Sequence, residues 1–430
     1  ASDFTLGLVS SGEVGMKILI AAAGSHGDVL PFIALGKALQ ARGHEVRVYA
    51  GAYFAPLAQR AGLSFRGLGS AEAYTALLRN PDLMRPIKGF RLVAEAALEA
   101  LPESYAALRE DSGSGQTLVV ASVLAFAAPL LRETHGVPYA TVHLAPNVFR
   151  SRHQMSRMMP GDVVPYLPGW LRPSQWWWHD RLVLDPIFMT GLNRFRAGLG
   201  LAPVHRFMQW IHQADVQLAA FPDWFAPAQP DWPPAVKLTG FPCYDQGEEL
   251  PLSEPLQSFL AASEPPVAFS AGTATAAARD FFATSIAACQ RAQRRGILLT
   301  HRPEQLPDNL PAGFLHVDYA PFSTLLPRLA AFVHHGGIGS TAAALRAGVP
   351  QLIRPMAFDQ FDNSLRTQRL GVAEEILPWR YRPARAAAAL NRLIDDASRR
   401  QRCRELAQRL QHEDGVAATC DAIIGHFPAQ

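Results

Sequence analysis

The stretch from Val333 to Gly371 constrains this chain more than any other. Apolar Leu329-Ala-Ala-Phe-Val333 reads as a short buried strand running into the turn Gly336-Gly337-Ile338-Gly339. Ser340 or Thr341 then stands where a cap would open a helix through Ala342, Ala343, Ala344 and Leu345. A strand, a glycine turn and an open helix N-terminus make an anion site, because unpaired N–H groups and the helix dipole both point into the turn. The anion expected there is a diphosphate. His334 and His335 lie at the lip, where an imidazole N–H reaches a phosphate oxygen. Taken alone, two histidines at a strand end serve local hydrogen bonds equally well.

The stretch continues with Gly348-Val349-Pro350, a second apolar strand Gln351-Leu352-Ile353, Pro355, and the loop Asp359-Gln360-Phe361-Asp362-Asn363. That loop follows a strand's C-terminal end, where ligands of open α/β sheets bind. A carboxylate beside an amide suits the neighbouring hydroxyls of a sugar.

Read in order, His335-Gly336-Gly337-Ile338-Gly339-Ser340, Gly348-Val349-Pro350, Pro355, Asp359-Gln360 and Asn363 resemble the donor-binding signature of the family 1 nucleotide-sugar glycosyltransferases. The whole string is specific, and no single piece of it is. The resemblance implies an α/β fold of GT-B type, two facing Rossmann-like doubly wound domains, with the C-terminal half holding a nucleoside-diphosphate sugar. It implies that His335 contacts the diphosphate and that Asp359 and Gln360 hold the sugar. His334, Gly337, Gly339, Ser340, Thr341 and Asn363 complete the expected donor contacts.

A chain of 430 residues exceeds one common-sized domain and fits two of about 200. The expected division is an acceptor-binding domain over 16–241, a connection over 242–263, a donor-binding domain over 264–412, and a segment 413–430 that returns to the first domain, as in the family. Hydrophobic residues are 49% and charged residues 18%, so core material is ample. A net charge of +3 argues against nucleic acid as a partner and permits weak attraction to an anionic lipid surface. Cys243, Cys289, Cys403 and Cys420 show no metal-type or redox-type spacing and read as free thiols of a reducing compartment, which implies a cytoplasmic protein. Residues 1–15 lack the pattern of a signal peptide, and Met16 reads as the native start. The longest apolar run, Leu118 to Leu131, is too short to span a membrane and reads as strand, turn and helix.

The first domain opens as a βαβ unit: the strand from Met16 to Ala21, the loop Gly24-Ser25-His26-Gly27-Asp28, a helix from Pro31 to Arg42, and the strand Glu45 to Tyr49. Further strands at Leu118–Ala121, Tyr139–His143 and Val216–Ala220 suggest a doubly wound sheet of about six strands. Asp28 is the catalytic candidate, since glycosyl transfer to a hydroxyl needs a base. It serves equally as the cap of a helix starting at Val29 or Leu30, and chemistry alone leaves the two readings level. The resemblance tips the balance, because the family's base sits in this loop and is followed by two residues and a proline, as in Asp28-Val29-Leu30-Pro31. His26 either assists Asp28 or is a loop histidine without a role.

The proline-rich segment from Phe221 to Pro242 looks like the corresponding part of the rhamnosyltransferases of the rhamnolipid pathway. In the second domain, a strand over 266–270 ends in the small-residue loop Ala271-Gly272-Thr273, which makes Ser270, Gly272 and Thr273 secondary diphosphate candidates. Tyr319-Ala320-Pro321-Phe322 stands where family members often place a base-stacking Trp and a Gln, so Tyr319 keeps a stacking face while Phe322 loses an amide. On the acceptor side His143, Trp176 and Trp177 are expected contacts. The segment 150–212, with Trp170, Trp176-Trp177-Trp178, Phe188, Phe207 and Trp210, lines an apolar pocket, touches a membrane surface, or is core. Helices are expected over Ala386–Ile394 and over Ser398–Leu410, the second capped by Ser398.

Together these readings describe an inverting glycosyltransferase with no metal cofactor and the nucleoside-diphosphate sugar as co-substrate. Its acceptor is lipophilic or aromatic, and peripheral contact with the inner membrane is allowed. A sugar-nucleotide epimerase and a non-catalytic sugar-nucleotide-binding subunit are the rival classes.

Overall fold

A computed structural model describes residues 15–428 except 114–115, 163–165, 169, 235, 246–249, 263 and 276–277, together with the side chains of 172–175. The reading of residues 1–15 therefore lies outside the described residues but for Gly15. Among the described residues the strands form two wholly parallel sheets. The first holds β1 (Lys17–Ala21), β2 (Glu45–Gly51), β3 (Ser64–Leu68), β4 (Thr117–Ser122), β5 (Tyr139–His143), β6 (Val216–Ala219) and β7 (Val236–Leu238), in the order β3-β2-β1-β4-β5-β6-β7. The second holds β8 (Val267–Ser270), β9 (Gly296–Leu299), β10 (Phe314–Val317), β11 (Ala331–His334), β12 (Gln351–Ile353) and β13 (Ala373–Glu375), in the order β10-β9-β8-β11-β12-β13.

Parallel strands covered on both faces read as unbroken apolar runs. In β1, Ile18 and Ile20 face one core cluster while Leu19 and Ala21 face the other. In β11, Ala331 and Val333 face one way and Phe332 the other. The sequence misses β3 and β7, which lie at the sheet's two edges and carry Arg66 and Lys237, so neither reads as apolar. The aromatic residues Phe188, Phe207 and Trp210 of the 150–212 segment prove to be core: each is at most 4% exposed, and the Phe188 and Phe207 rings stack at 3.8 Å.

Helix starts also differ from the sequence expectation. The first helix is His26–Ala41, capped by Ser25, so Pro31 lies inside it and Asp28 lies in its first turn and not in a loop. The glycine-turn helix is Ile338–Ala347 with Gly337 at its cap, which moves Ser340 and Thr341 into the first turn. The helix Ala397–Gln411 is capped by Asp396, whose carboxylate accepts from Arg399 N at 3.0 Å, and not by Ser398. An unpaired backbone N–H takes the best nearby acceptor, and a carboxylate just before the turn outcompetes a hydroxyl within it.

The two halves share a core. Ile338, Ala342 and Leu345 pack in one cluster with Phe149, Phe221, Phe225 and Phe241. Polar contacts reinforce it: Arg157 N donates to Asp362 Oδ1 at 3.1 Å, Arg157 pairs with Glu375 at 2.7 Å, and Arg366 reaches the Phe225 carbonyl at 3.3 Å. Within 242–263, Leu252 and Leu256, the latter on the helix Glu254–Ala261, pack into a core cluster of the second sheet. The last helix, Gly415–His426, places Cys420 and Ile423 in the core around Ile18 and Ile20, and Thr419 Oγ1 donates to Thr239 Oγ1 at 2.8 Å. All four cysteines are unpaired. Among the described residues no helix is long and apolar enough to cross a membrane.

Candidate active site

Register aligns the ends of three central strands of the second sheet. His334 pairs with Ser270 on β8 and with Ile353 on β12, so the loops 271–275, 335–337 and 354–359 leave the sheet at one level. The turn between them needs glycine. Gly336 has φ +92°, and a Cβ there would stand 2.8 Å from Ile353. His335 projects from this turn with its ring pinned by two more glycines: a Cβ on Gly272 would lie 2.7 Å from Cε1, and one on Gly337 would lie 2.5 Å from Nε2. Its Nδ1 is buried without a hydrogen-bond partner, and burial pulls its pKa to about 4. The imidazole is thus neutral at pH 7, held rigidly, with one nitrogen left for a ligand.

His334 is different. It is fully buried, its Nε2 is 2.9 Å from Gln351 Oε1, and its Nδ1 accepts from Gly336 N at 3.0 Å. Both nitrogens are spent on the scaffold, so the expected diphosphate contact is corrected to a structural one.

The 359–363 loop is likewise mostly scaffold. Gln360 is 4% exposed, and its Oε1 accepts from Met356 N at 2.8 Å and Ala357 N at 3.2 Å. Asn363 is fully buried and ties Gly336 O at 3.0 Å to Asp359 Oδ2 at 2.7 Å. Asn363 therefore holds the turn and does not face a ligand. The same Asp359 oxygen accepts from Ile338 N at 3.2 Å, so this carboxylate caps the helix that an anion would approach. Phe358, just before it, has φ +59°, a conformation that costs a non-glycine residue roughly 1–3 kcal/mol and recurs at ligand clamps. Burial and then the charge of Asp28 push Asp359 up to about 7, against the hydrogen bonds from Asn363 and Ile338.

Among the remaining donor candidates, Gly339 and Thr273 are exposed, while Ser340 and Ser270 are partly buried. Thr341 is fully buried in the first turn and does not reach the cleft surface. Ala320 is 4% exposed and packs into the core. Tyr319 is 43% exposed and lies parallel to His301, centroids 6.1 Å apart and planes 9° apart. Sequence reasoning missed His301, although it follows the apolar run of β9 as His335 follows that of β11.

Facing this site is the N-terminus of the His26–Ala41 helix. Asp28 Oδ2 accepts from Ser25 N at 2.7 Å and from Ser25 Oγ at 2.9 Å. The carboxylate folds back over Gly24, where φ is +132° and a Cβ would stand 2.4 Å from that oxygen. Burial raises the Asp28 pKa, and the Ser25 hydrogen bonds oppose the rise. The capping and the ligand-facing readings of Asp28 are compatible, since one oxygen serves the helix and the other is left over. His26 packs edge-on against Tyr53 at 5.4 Å and Phe54 at 5.1 Å. Burial, with His301 adding to it, lowers His26 to about 4, and its Nδ1 has no partner.

Of the expected acceptor residues, His143 is on β5 and Trp176 and Trp177 are on the helix Arg172–His179. His143 is 1% exposed at the end of β5, 3.1 Å from Thr141 Oγ1 and packed on Phe149 at 4.7 Å, so it is an interior histidine. Trp176 is partly buried under Arg150 at 4.4 Å, and Trp177 meets Trp178 at 4.7 Å. Among the described residues no group of three or more His, Cys, Asp or Glu could hold a metal ion.

Two parallel sheets whose helix N-termini face one another across a cleft define the GT-B class of glycosyltransferases. Solved structures agree: the glycosyltransferase of kitacinnamycin covers 96% of this chain and 100% of its own at TM-score 0.73 and 21% identity. Glycosyltransferase VinC in complex with dTDP covers 96% and 99% at TM-score 0.63 and 20% identity. Residues 18–153 match the glycosyltransferase family 28 N-terminal domain, and residues 295–426 match the erythromycin biosynthesis protein CIII-like C-terminal domain. O-mycaminosyltylonolide 6-deoxyallosyltransferase of Streptomyces fradiae is 32% identical over 95% of this chain and 97% of its own. A sterol 3-beta-glucosyltransferase of Arabidopsis thaliana is 28% identical over 96% of this chain and 69% of its own. The chain belongs to the family 1 type GT-B glycosyltransferases that join these two domains, of macrolide, natural-product and sterol transferase type. It is an enzyme whose co-substrate is a nucleotide sugar, and the chemistry of this family uses no metal cofactor.

Proposed function

We propose that the enzyme transfers a hexose, with inversion, from a nucleoside-diphosphate sugar to a hydroxyl of a bulky lipophilic acceptor, with Asp28 as base. The observation that carries this reading is the opposition of Asp28 to the Asp359-capped helix: a Cβ on Gly339, in the turn that Asp359 caps, would lie 3.9 Å from the Cα of Gly27, next to Asp28. The sugar would lie between them. The acceptor oxygen attacks the anomeric carbon as Asp28 takes its proton, and the bond to the diphosphate breaks with its electron pair going to the phosphate oxygen. Neutral His335 and the N–H groups opening the Ile338–Ala347 helix meet the charge that builds there. Ser270, Thr273 and Ser340 would complete the diphosphate site and Tyr319 would stack on the base. The first half would hold the acceptor and the second the donor.

A 6-deoxyhexose on thymidine diphosphate is the first-choice donor, supported by the deoxysugar named for the Streptomyces fradiae relative. A macrocyclic or steroidal alcohol is the first-choice acceptor, supported by the same relative and the sterol transferases. The relatives do not single out the rhamnolipid pathway, so a hydroxyacyl lipid follows as acceptor, then an aromatic natural product. The exposed rings of Trp170, Trp177 and Trp178 with Leu182 would supply a peripheral membrane contact. The test is a matrix of dTDP-L-rhamnose and UDP-glucose against a macrolide aglycone, a sterol and a 3-hydroxyacyl ester, with the anomeric configuration of the product read by NMR. A product of inverted configuration supports the reading. Retention, or an isomerised sugar nucleotide formed without acceptor, contradicts it.

A further inference from the structure

Beside Asp28 stands a wall of aromatic side chains that the donor site does not use. His26 touches Tyr53 and Phe54, and both in turn touch Tyr74, at 4.8 and 5.3 Å between centroids. The Tyr74 ring packs against the core under the first sheet, yet its hydroxyl is buried with no hydrogen-bond partner. A buried donor without a partner costs a protein about 1–3 kcal/mol, and such a group in a folded chain calls for an explanation. Burial first, then the charges of Asp28 and Tyr53, hold this phenol well above its usual pKa. It is therefore a fixed hydrogen-bond donor at any working pH, within reach of the Asp28 field and not bonded to it. On the outer side of Tyr53 an open groove of about 790 Å³ runs along the helix Ala71–Arg79, lined by Tyr53, Glu72, Thr75, Ala76 and Arg79. Tyr53 thus belongs both to the groove and to the aromatic wall that His26, two residues before Asp28, joins.

We propose that Tyr74 is a specificity-determining acceptor ligand. Its hydroxyl donates to an acceptor oxygen next to the hydroxyl presented to Asp28, while the acceptor's apolar body lies over Tyr53 and along the Ala71–Arg79 helix. Tyr74 neither gives nor takes a proton in the reaction. Two anchors beside each other select acceptors with neighbouring oxygens, because an acceptor lacking the second oxygen leaves the buried phenol unpaired. The inference rests on the proposed function and goes beyond it.

The test compares transfer to the D-ring hydroxyls of estriol, a vicinal diol, and of 17β-estradiol, which has one such hydroxyl, for wild type and Tyr74→Phe. Wild type should favour estriol by about tenfold in kcat/KM, the size of one hydrogen bond. In Tyr74→Phe that ratio should fall to about one, with the donor KM unchanged and the melting temperature no lower than wild type, since the unpaired buried hydroxyl is gone. A phenol that only packs would leave the ratio where it was, and an unchanged ratio overturns the inference alone. Donor binding without transfer to either steroid would overturn the acceptor half of the proposed function and this inference with it.

Discussion

Gly27 and Gly339 meet across the cleft: a Cβ built on Gly339 would lie 3.9 Å from the Gly27 Cα. Each is in the first turn of its helix, one carrying Asp28 and the other capped by Asp359. This pair sets how closely the two helix ends approach. Gly339→Ala would meet only ordinary contact and gains helix propensity, so the protein should hold its stability or gain up to about 1 kcal/mol. Gly339→Leu should keep the fold too, since the position is exposed, but fill the space between the helix ends. We expect a loss of about tenfold or more in kcat/KM, comparable to a small misplacement of reacting groups, read by nucleotide release beside a melting curve.

The pinned ring of His335 makes a second prediction. His335→Ala removes one donor to a charged oxygen, worth about 1.5–3 kcal/mol, and should lower kcat/KM for the donor by roughly 10- to 100-fold. Gly272→Ala should reproduce much of that loss without touching the histidine, because the new methyl displaces the ring. A Gly272→Ala enzyme with wild-type donor kinetics would show that the orientation of the ring is unimportant.

The facing carboxylates predict the pH behaviour. Burial raises Asp28, so the acid limb of kcat/KM should lie above the ordinary carboxylate range. The charge interaction between the two falls on Asp359, which is already protonated on the acid side, so Asp359→Asn should leave that limb in place. For stability the sign is fixed by the raised folded value, about 7 for Asp359 against 3.8 for an ordinary aspartate. Between those values the folded chain holds a proton that the unfolded chain has lost, so this contribution is complete below the unfolded pKa and disappears as pH rises through about 7. The urea midpoint of Asp359→Asn, relative to wild type, should therefore be higher at pH 8 than at pH 4.

The ion pair between Asp362 and Arg366 lies inside the shared core of the two halves, with side chains 1% and 5% exposed at 2.7 Å. Asp362→Ala would strand Arg366 and also free Arg157 N. We expect a loss of about 3–5 kcal/mol in denaturant unfolding. Asp362→Asn, which keeps an acceptor for Arg157 N, should lose less.

Much of this was legible where strands are apolar and turns are glycine-rich. The strand, turn and helix around His335, and the βαβ unit around Asp28, follow from runs such as Ile18-Leu19-Ile20 and Phe332-Val333. What the sequence hid were matters of direction. His334 and His335 are neighbours of one residue type, and only strand alternation and the pairing with Gln351 turn one into the core and the other outward. Asp359 and Gln360 read as sugar ligands and Asn363 as a further donor contact, yet the Gln360 oxygen accepts from Met356 N of its own loop and Asn363 donates to Gly336 O of the glycine turn. Tyr53, Tyr74 and His301 carry no motif and reach the cleft only through tertiary packing. The Trp triplet could not be assigned from sequence because exposed rings and a cleft lining look the same there; Trp177 and Trp178 are 46% and 55% exposed.

The most direct test of the account is nucleoside-diphosphate release by wild type and Asp28→Asn, with donor affinity measured by calorimetry on the same samples. Asn can still accept from Ser25, so the helix start should survive the change. The account predicts unchanged donor affinity and a fall in transfer of roughly 10²- to 10⁴-fold, the usual contribution of a positioned base. Transfer at the wild-type rate by Asp28→Asn would contradict it.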